Sequence, residues 1–254
     1  MYKSFTADDL RKFHDFAPDY TVDGMLVVGT YKVQKEVDRL KRVIEPYNGT
    51  LAQHTHEFLS SGYEVLVNDK RLWFFVVYGG TLLSEFVHIG SMLGSRKNIL
   101  SGVCGGLKKG AAIGDIILPT EASSDGSSVY MYDRERKPLQ PSDPALRASI
   151  KTSLEAKGLT IHEGKTITCQ AMLGETQEDV LGWSNDGYLG VEMEASTVFA
   201  VSNHFRVPSA AMLSVADNLI EDHTVLSENY EDSRGLRESV RDQQFEVAIE
   251  QLVA

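Results

Sequence analysis

The chain has 254 residues, 42% of them hydrophobic and 24% charged, and a formal net charge of −11 at pH 7. That is enough ordinary globular material for one large α/β domain with a well-buried core. The acidic balance, without a basic stripe, argues against a nucleic-acid polymer as partner and favours a small neutral molecule.

No apolar run approaches membrane-spanning length, and the N-terminal stretch MYKSFTADDLRKFHDF lacks the basic start and apolar segment of a signal peptide. The two cysteines, Cys104 and Cys169, lie in apolar, strand-like surroundings and read as buried, reduced thiols of a cytoplasmic protein.

In chain order, residues 25–29 read as a short strand, 35–44 as a helix, and 63–67 with 72–78 as two strands around the polar turn Asn68-Asp69-Lys70-Arg71. A helix follows over 82–93, then strands over 97–103 and 113–119. The Ser-Asp-Pro opening and Lys-Gly closing predict a helix over 142–157. Residues 159–169 return as a strand, 177–183 as a short helix, 188–192 as a strand, 196–205 as a helix, 209–215 as a strand and 236–253 as the closing helix. This alternation predicts a single α/β domain over 1–254, a central mixed β-sheet flanked by helices. Ligands of such sheets bind beyond the carboxyl ends of strands, where Gly29, Cys104, Cys169, Glu192 and Asp217 would gather. Two polar, irregular segments, 121–140 and 221–234, are candidate lids or subunit contacts.

The densest chemistry is Gly190-Val191-Glu192-Met193-Glu194-Ala195-Ser196, with Ala216-Asp217-Asn218 closing a later strand. The acidic pair sits at a strand-to-helix junction, where the positive end of a helix is by itself reason enough for carboxylates. If the junction stays extended through residue 194, Glu192 and Glu194 share one side and Met193 takes the other; a helix starting earlier splays them.

The block VEMEAS, then a helix, then Val207-Pro208 leading a strand into an aspartate, is similar to the nucleoside phosphorylase and nucleosidase superfamily, which includes purine nucleoside and uridine phosphorylases and the methylthioadenosine and AMP nucleosidases. The likeness runs from Met25 to the C-terminal helix; Cys104-Gly105-Gly106-Leu107 resembles the family's glycine turn and Gly114-Asp115 its Gly-Asp strand, while HFRVPSAAMLSVAD resembles AMP nucleosidase in particular. The resemblance implies cleavage of a nucleoside N-glycosidic bond, in which positive charge grows on the sugar and negative charge on the leaving base. By resemblance, Glu194 holds the ribose hydroxyls, Met193 packs on the sugar, Glu192 assists, and Asp217 protonates or hydrogen-bonds the base, the Asp-Asn ending leaning towards purine. Val103, Cys104, Gly105, Met172 and Val191 would line the base pocket, Met172 falling where relatives carry a stacking aromatic. A homodimer or hexamer is implied in the same way.

The phosphate side departs from the family. Where phosphate-using relatives place arginines, this chain reads Gly29-Thr30-Tyr31-Lys32-Val33, His56 and Leu100, so no bidentate clamp survives. Gly29, Thr30 and His56 mark the candidate phosphate or water site, with Lys32, Lys35 or Arg96 as substitute cations. The glutamate that water-using relatives keep in the first loop is missing too; Glu36 and Glu85 are the nearest candidates. Phosphorolysis without any cofactor is the leading expectation, hydrolysis and nucleoside binding without turnover the alternatives.

Other readings are weaker. Gly102-Val103-Cys104-Gly105-Gly106 spells a nucleophile elbow, but the two glycines within 107–114 make a poor following helix. His54-Thr55-His56-Glu57 lacks a convincing third metal ligand, so no metal is expected. No GxGxxG or GxxxxGK[ST] nucleotide loop is present.

Overall fold

A computed structural model describes residues 4–123, 128–221, 224, 227 and 230–254. Helix α1 (Ala7–Phe13) leads into β1 (Gly24–Gly29), α2 (Val33–Ile44), β2 (Thr50–Gln53), β3 (Gly62–Val67), β4 (Lys70–Val77) and α3 (Gly80–Met92). There follow β5 (Asn98–Gly106), β6 (Ile116–Ser123), α4 (Val129–Tyr132), β7 (Leu139–Pro141), α5 (Pro144–Ala156) and β8 (Ile161–Thr168). The chain ends with α6 (Gln177–Asn185), β9 (Gly190–Glu192), α7 (Ala195–Phe205), β10 (Ser209–Asn218) and α8 (Arg234–Val253). Parts of both irregular segments expected to act as lids, 124–127 and 222–223, 225–226 and 228–229, lie outside the described residues.

One mixed sheet runs β10-β6-β8-β9-β5-β1-β4-β3-β2, and β10 also pairs with β5, so five of its strands close into a ring. Strands β1, β4, β5 and β10 are parallel through their shared partners, whereas β9 runs antiparallel to β5. Period-two alternation divides each central strand between two cores. Met25 and Val27 of β1 and Trp73 and Phe75 of β4 face α3 and α7, while Leu26, Val28, Phe74 and Val76 face α2, α5 and α8. Helix α5 begins as its sequence predicts, with the Asp143 side chain accepting from Leu146 N at 2.8 Å and Pro144 in the first turn, and Gly158 at φ +78 follows its end.

Several expectations need correction. The glycine turn at 104–107 is not a turn: β5 continues through Gly106, pairing with β10 on one side and β9 on the other. Glycine at 105 allows close packing, since a Cβ there would stand 2.9 Å from a Leu219 methyl and 3.2 Å from a Val191 methyl, and both would have to shift. The strand expected at 113–119 starts at Ile116 because residues 112–115 make a turn, with Gly114 at φ +93. Strand β10 runs past Val215 to Asn218 through an irregularity between Val215 and Asp217, which re-aims the acidic residue. Cys104 is buried as expected, but Cys169 lies beyond the end of β8 and is only partly buried. Four further elements, α1, β2, α4 and β7, carry too little apolar periodicity to be seen in the sequence. No helix among the described residues is long and apolar enough to cross a membrane.

Candidate active site

The acidic junction resolves into two different carboxylates. Glu192 ends β9 in extended conformation, whereas Glu194 has φ −135 and ψ −31 and caps α7, so the junction does not stay extended and the pair diverges. Glu192 turns inward: its Oε2 accepts from the backbone N–H of Glu194 at 2.7 Å and of Ala195 at 2.6 Å, and its Oε1 from the Thr168 hydroxyl. The same Thr168 oxygen accepts from Ser196 N at 3.0 Å. Glu192 thus holds the start of α7, the role that the helix N-terminus alone would give it.

Glu194 points the other way, towards the ends of β1 and β4. Its Oε1 accepts from Gly79 N at 2.7 Å, and its Oε2 lies so close to Gly29 that any Cβ there would collide with it. Burial raises the proton affinity of both carboxyls. Thr168 and the two N–H groups pull Glu192 back down, while Glu194 faces the charge of Glu192 and is held above the usual carboxylate range. Among the described residues neither has a cation for a partner; their contacts are backbone N–H groups and one hydroxyl.

Asp217 lies beside Gly105 across the β10–β5 ladder and is partly buried. Its carboxyl is pushed up to about 6 by burial first and then by the charge of Glu175, with Arg237 opposing. Arg237, in the first turn of α8, is held by Ser233 Oγ at 3.0 Å and the Tyr230 carbonyl at 3.1 Å, and its guanidinium lies 3.7 Å over the Tyr230 ring.

Of the expected base-pocket residues, Val191 is buried with Leu107 and Ile167, and Leu219 and Cys169 pack on that cluster. Val103 is 42% exposed and borders the pocket at Gly29. The Cys104 side chain belongs to the interior core, where burial pushes its thiol well up, so only its backbone faces the neighbouring strands. Met172 is 54% exposed, and its sulfur accepts from the Tyr78 hydroxyl at 3.8 Å. Met193 is partly buried.

A pocket of about 120 Å³ opens beside Gly29 and Thr30, bordered by Lys32, Glu36, Arg237 and Arg241. Much of its charge is already engaged. Lys35 pairs with Glu238 at 2.6 Å, Glu36 with Arg39 at 3.0 Å, and the buried Arg241 holds Ser101 Oγ at 3.1 Å, Gly102 O at 3.0 Å and Glu36 at 3.5 Å. His56 is not part of this pocket. It sits against α1, its Nδ1 accepting from Phe58 N and 3.2 Å from His14 Nδ1. Arg96 lies just before β5, at the opposite end of that strand, and Glu85 is exposed on α3.

The chain as a whole has counterparts among known proteins. The model of the family described as the Phosphorylase superfamily matches residues 81–242. The chain belongs to that superfamily. Relatives in the phosphorylase superfamily include a guanosine phosphorylase of Halorubrum lacusprofundi, 28% identical over 51% of this chain and 54% of its own length. A DeoD-type purine nucleoside phosphorylase of Clostridium beijerinckii is 27% identical over 57% and 58% of the two chains, and a 5′-methylthioadenosine/S-adenosylhomocysteine nucleosidase of an Exiguobacterium species 28% identical over 49% and 57%. The chain spans just over half the length of these curated relatives. The fold is shared more widely: a uridine phosphorylase from Vibrio fischeri superposes with a TM-score of 0.71 at 18% identity over 91% of this chain and 94% of that one. Phosphorylases and a nucleosidase match at nearly equal identity, so superfamily membership does not choose the nucleophile.

Sequence reasoning missed Thr168, Tyr31, Tyr78, Glu175 and Arg237. Only Tyr78 carried a signal, as an aromatic directly before the Gly79-Gly80 pair at a strand end.

Proposed function

We propose that this protein cleaves the N-glycosidic bond of a purine nucleoside by phosphorolysis, releasing free base and ribose 1-phosphate with no cofactor. The observation that carries this reading is the approach of the buried Glu194 carboxyl, held above its ordinary range, to the ends of β1 and β4, with a second raised carboxyl, Asp217, at the end of β10. Glu194 engages the ribose hydroxyls beside Met193, and Asp217 delivers a proton to the leaving purine, which needs an acid with an affinity near the working pH. Glu192 acts through the α7 turn and not by touching the sugar. Phosphate sits at Gly29 and Thr30, where Lys32, Arg237 and Arg241 border the pocket in place of the family's arginines.

Hydrolysis is the second reading, favoured by Glu36 on the same pocket and by the prior engagement of Arg241 and Lys35. Assembly as a homodimer or hexamer in the cytoplasm belongs to the same proposal.

The test is release of base from a nucleoside panel with and without phosphate. Phosphate-dependent release is expected, and Asp217→Asn should lower it by about 10²-fold or more. Release indifferent to phosphate selects hydrolysis; wild-type rates in Asp217→Asn overturn the assignment of the acid.

A further inference from the structure

The rim of the site carries an aromatic pair that neither acidic motif accounts for. Tyr78 directly follows β4 and precedes Gly79, whose N–H holds Glu194. Its side chain is 47% exposed, with the Tyr31 ring meeting it edge-on at 5.8 Å and Met172 taking its hydroxyl at 3.8 Å. Three loops of different origin therefore meet at this one ring, following β1, β4 and β8. Burial first, and then the nearby Glu194 carboxyl, Tyr31 and Glu175, raise the hydroxyl above its ordinary value, so it stays a neutral donor.

A thioether is a weak acceptor, so the contact with Met172 holds the ring only loosely. A half-exposed aromatic beside an exposed methionine is costly to leave facing water and gains most when a flat, partly apolar guest covers it. We propose that Tyr78 is a nucleoside-binding residue: its ring forms the outer wall of the nucleoside site and packs on the bound nucleoside, braced at its edge by Tyr31. This rests on the reading of Glu194 and Asp217 as the nucleoside site.

The experiment compares wild type, Tyr78→Ala and Tyr78→Phe by equilibrium titration with the nucleosides of the panel and by separate determination of kcat and KM. Loss of ring contact in Tyr78→Ala should raise Kd and KM about tenfold or more, the usual scale of an aromatic contact with a base, with a much smaller change in kcat. Tyr78→Phe keeps the ring and should stay within about threefold of wild type. Unchanged affinity in Tyr78→Ala, or a loss in Tyr78→Phe equal to that in Tyr78→Ala, overturns the proposal. A folded wild-type protein that binds no nucleoside overturns the site reading and this inference with it, whereas binding that Tyr78→Ala leaves intact overturns this inference alone.

Discussion

Two glutamates separated by one methionine end with opposite duties because their hydrogen-bond partners differ. Glu192 has three donors and anchors a helix, while Glu194 reaches Gly79 and presses on Gly29, where there is room for it only because Gly29 has no side chain. Gly29→Ala should therefore push the Glu194 carboxyl off the Gly79 N–H. A displaced Glu194 also forfeits its hydrogen bond to the guest, and a hydrogen bond to an ionisable group is worth about 1.5–3 kcal/mol, so nucleoside affinity should fall roughly 10- to 100-fold while the protein stays folded. Titration of Gly29→Ala with a nucleoside checks this; wild-type affinity would show that Glu194 does not hold the guest. The motif VEMEA was legible in the sequence at this scale, but its division of labour was not. Periodicity can say on which side a strand residue emerges; it cannot say that the strand stops at Glu192.

Helix α8 shows how an element far away in sequence completes a site. It docks on β5 through buried polar contacts as well as apolar ones: Arg241 on Ser101 and Gly102, and Gln244 on the carbonyls of Gly102 at 3.2 Å and Met212 at 2.8 Å. The same helix brings Arg237 towards Asp217 and, through Arg241, ties Glu36 of α2 into the floor of the Gly29 pocket. Arg241→Leu leaves the buried Glu36 carboxylate with Arg39 alone and takes the guanidinium donor from Ser101 Oγ, while the Gly102 carbonyl keeps only Gln244. Removing one member of such a buried pair costs about 3–5 kcal/mol, to be read as a lower urea midpoint at unchanged slope. A loss below about 1 kcal/mol would mean that apolar packing alone seats α8. The helix itself was evident from its spacing, and so were α2, α3, α5 and α7. The contacts of its arginines were not, because a charged residue on an amphipathic helix looks the same in sequence whether it meets water or a buried carbonyl.

Across the whole molecule, folding encloses carboxyls that an unfolded chain would ionise freely. Asp217 has its affinity raised from 3.8 to about 6, so between those values the native state binds more protons than the unfolded one, and the stability this group contributes is present below pH 3.8 and lost as pH rises through about 6. Asp217→Asn should accordingly melt higher than wild type at pH 8, by an amount on the order of 1–3 kcal/mol, with the difference vanishing near pH 3.5. A constant difference across that range would show that the carboxyl is not strained by burial. Base release should fall as pH rises through the same region, since only the protonated acid can donate. By itself the sequence determined the alternating strands and helices, the two-sided burial of the central sheet and the identity of the acidic residues, because periodicity and composition are local properties that survive without coordinates. Only the tertiary structure decided that the sheet closes through β10 and β5, that Cys104 faces inward, that His56 lies against α1, and that Tyr78 stands over Met172. Those facts depend on which distant strands pair and in what register, and each register sends a given side chain either into the core or out towards a ligand.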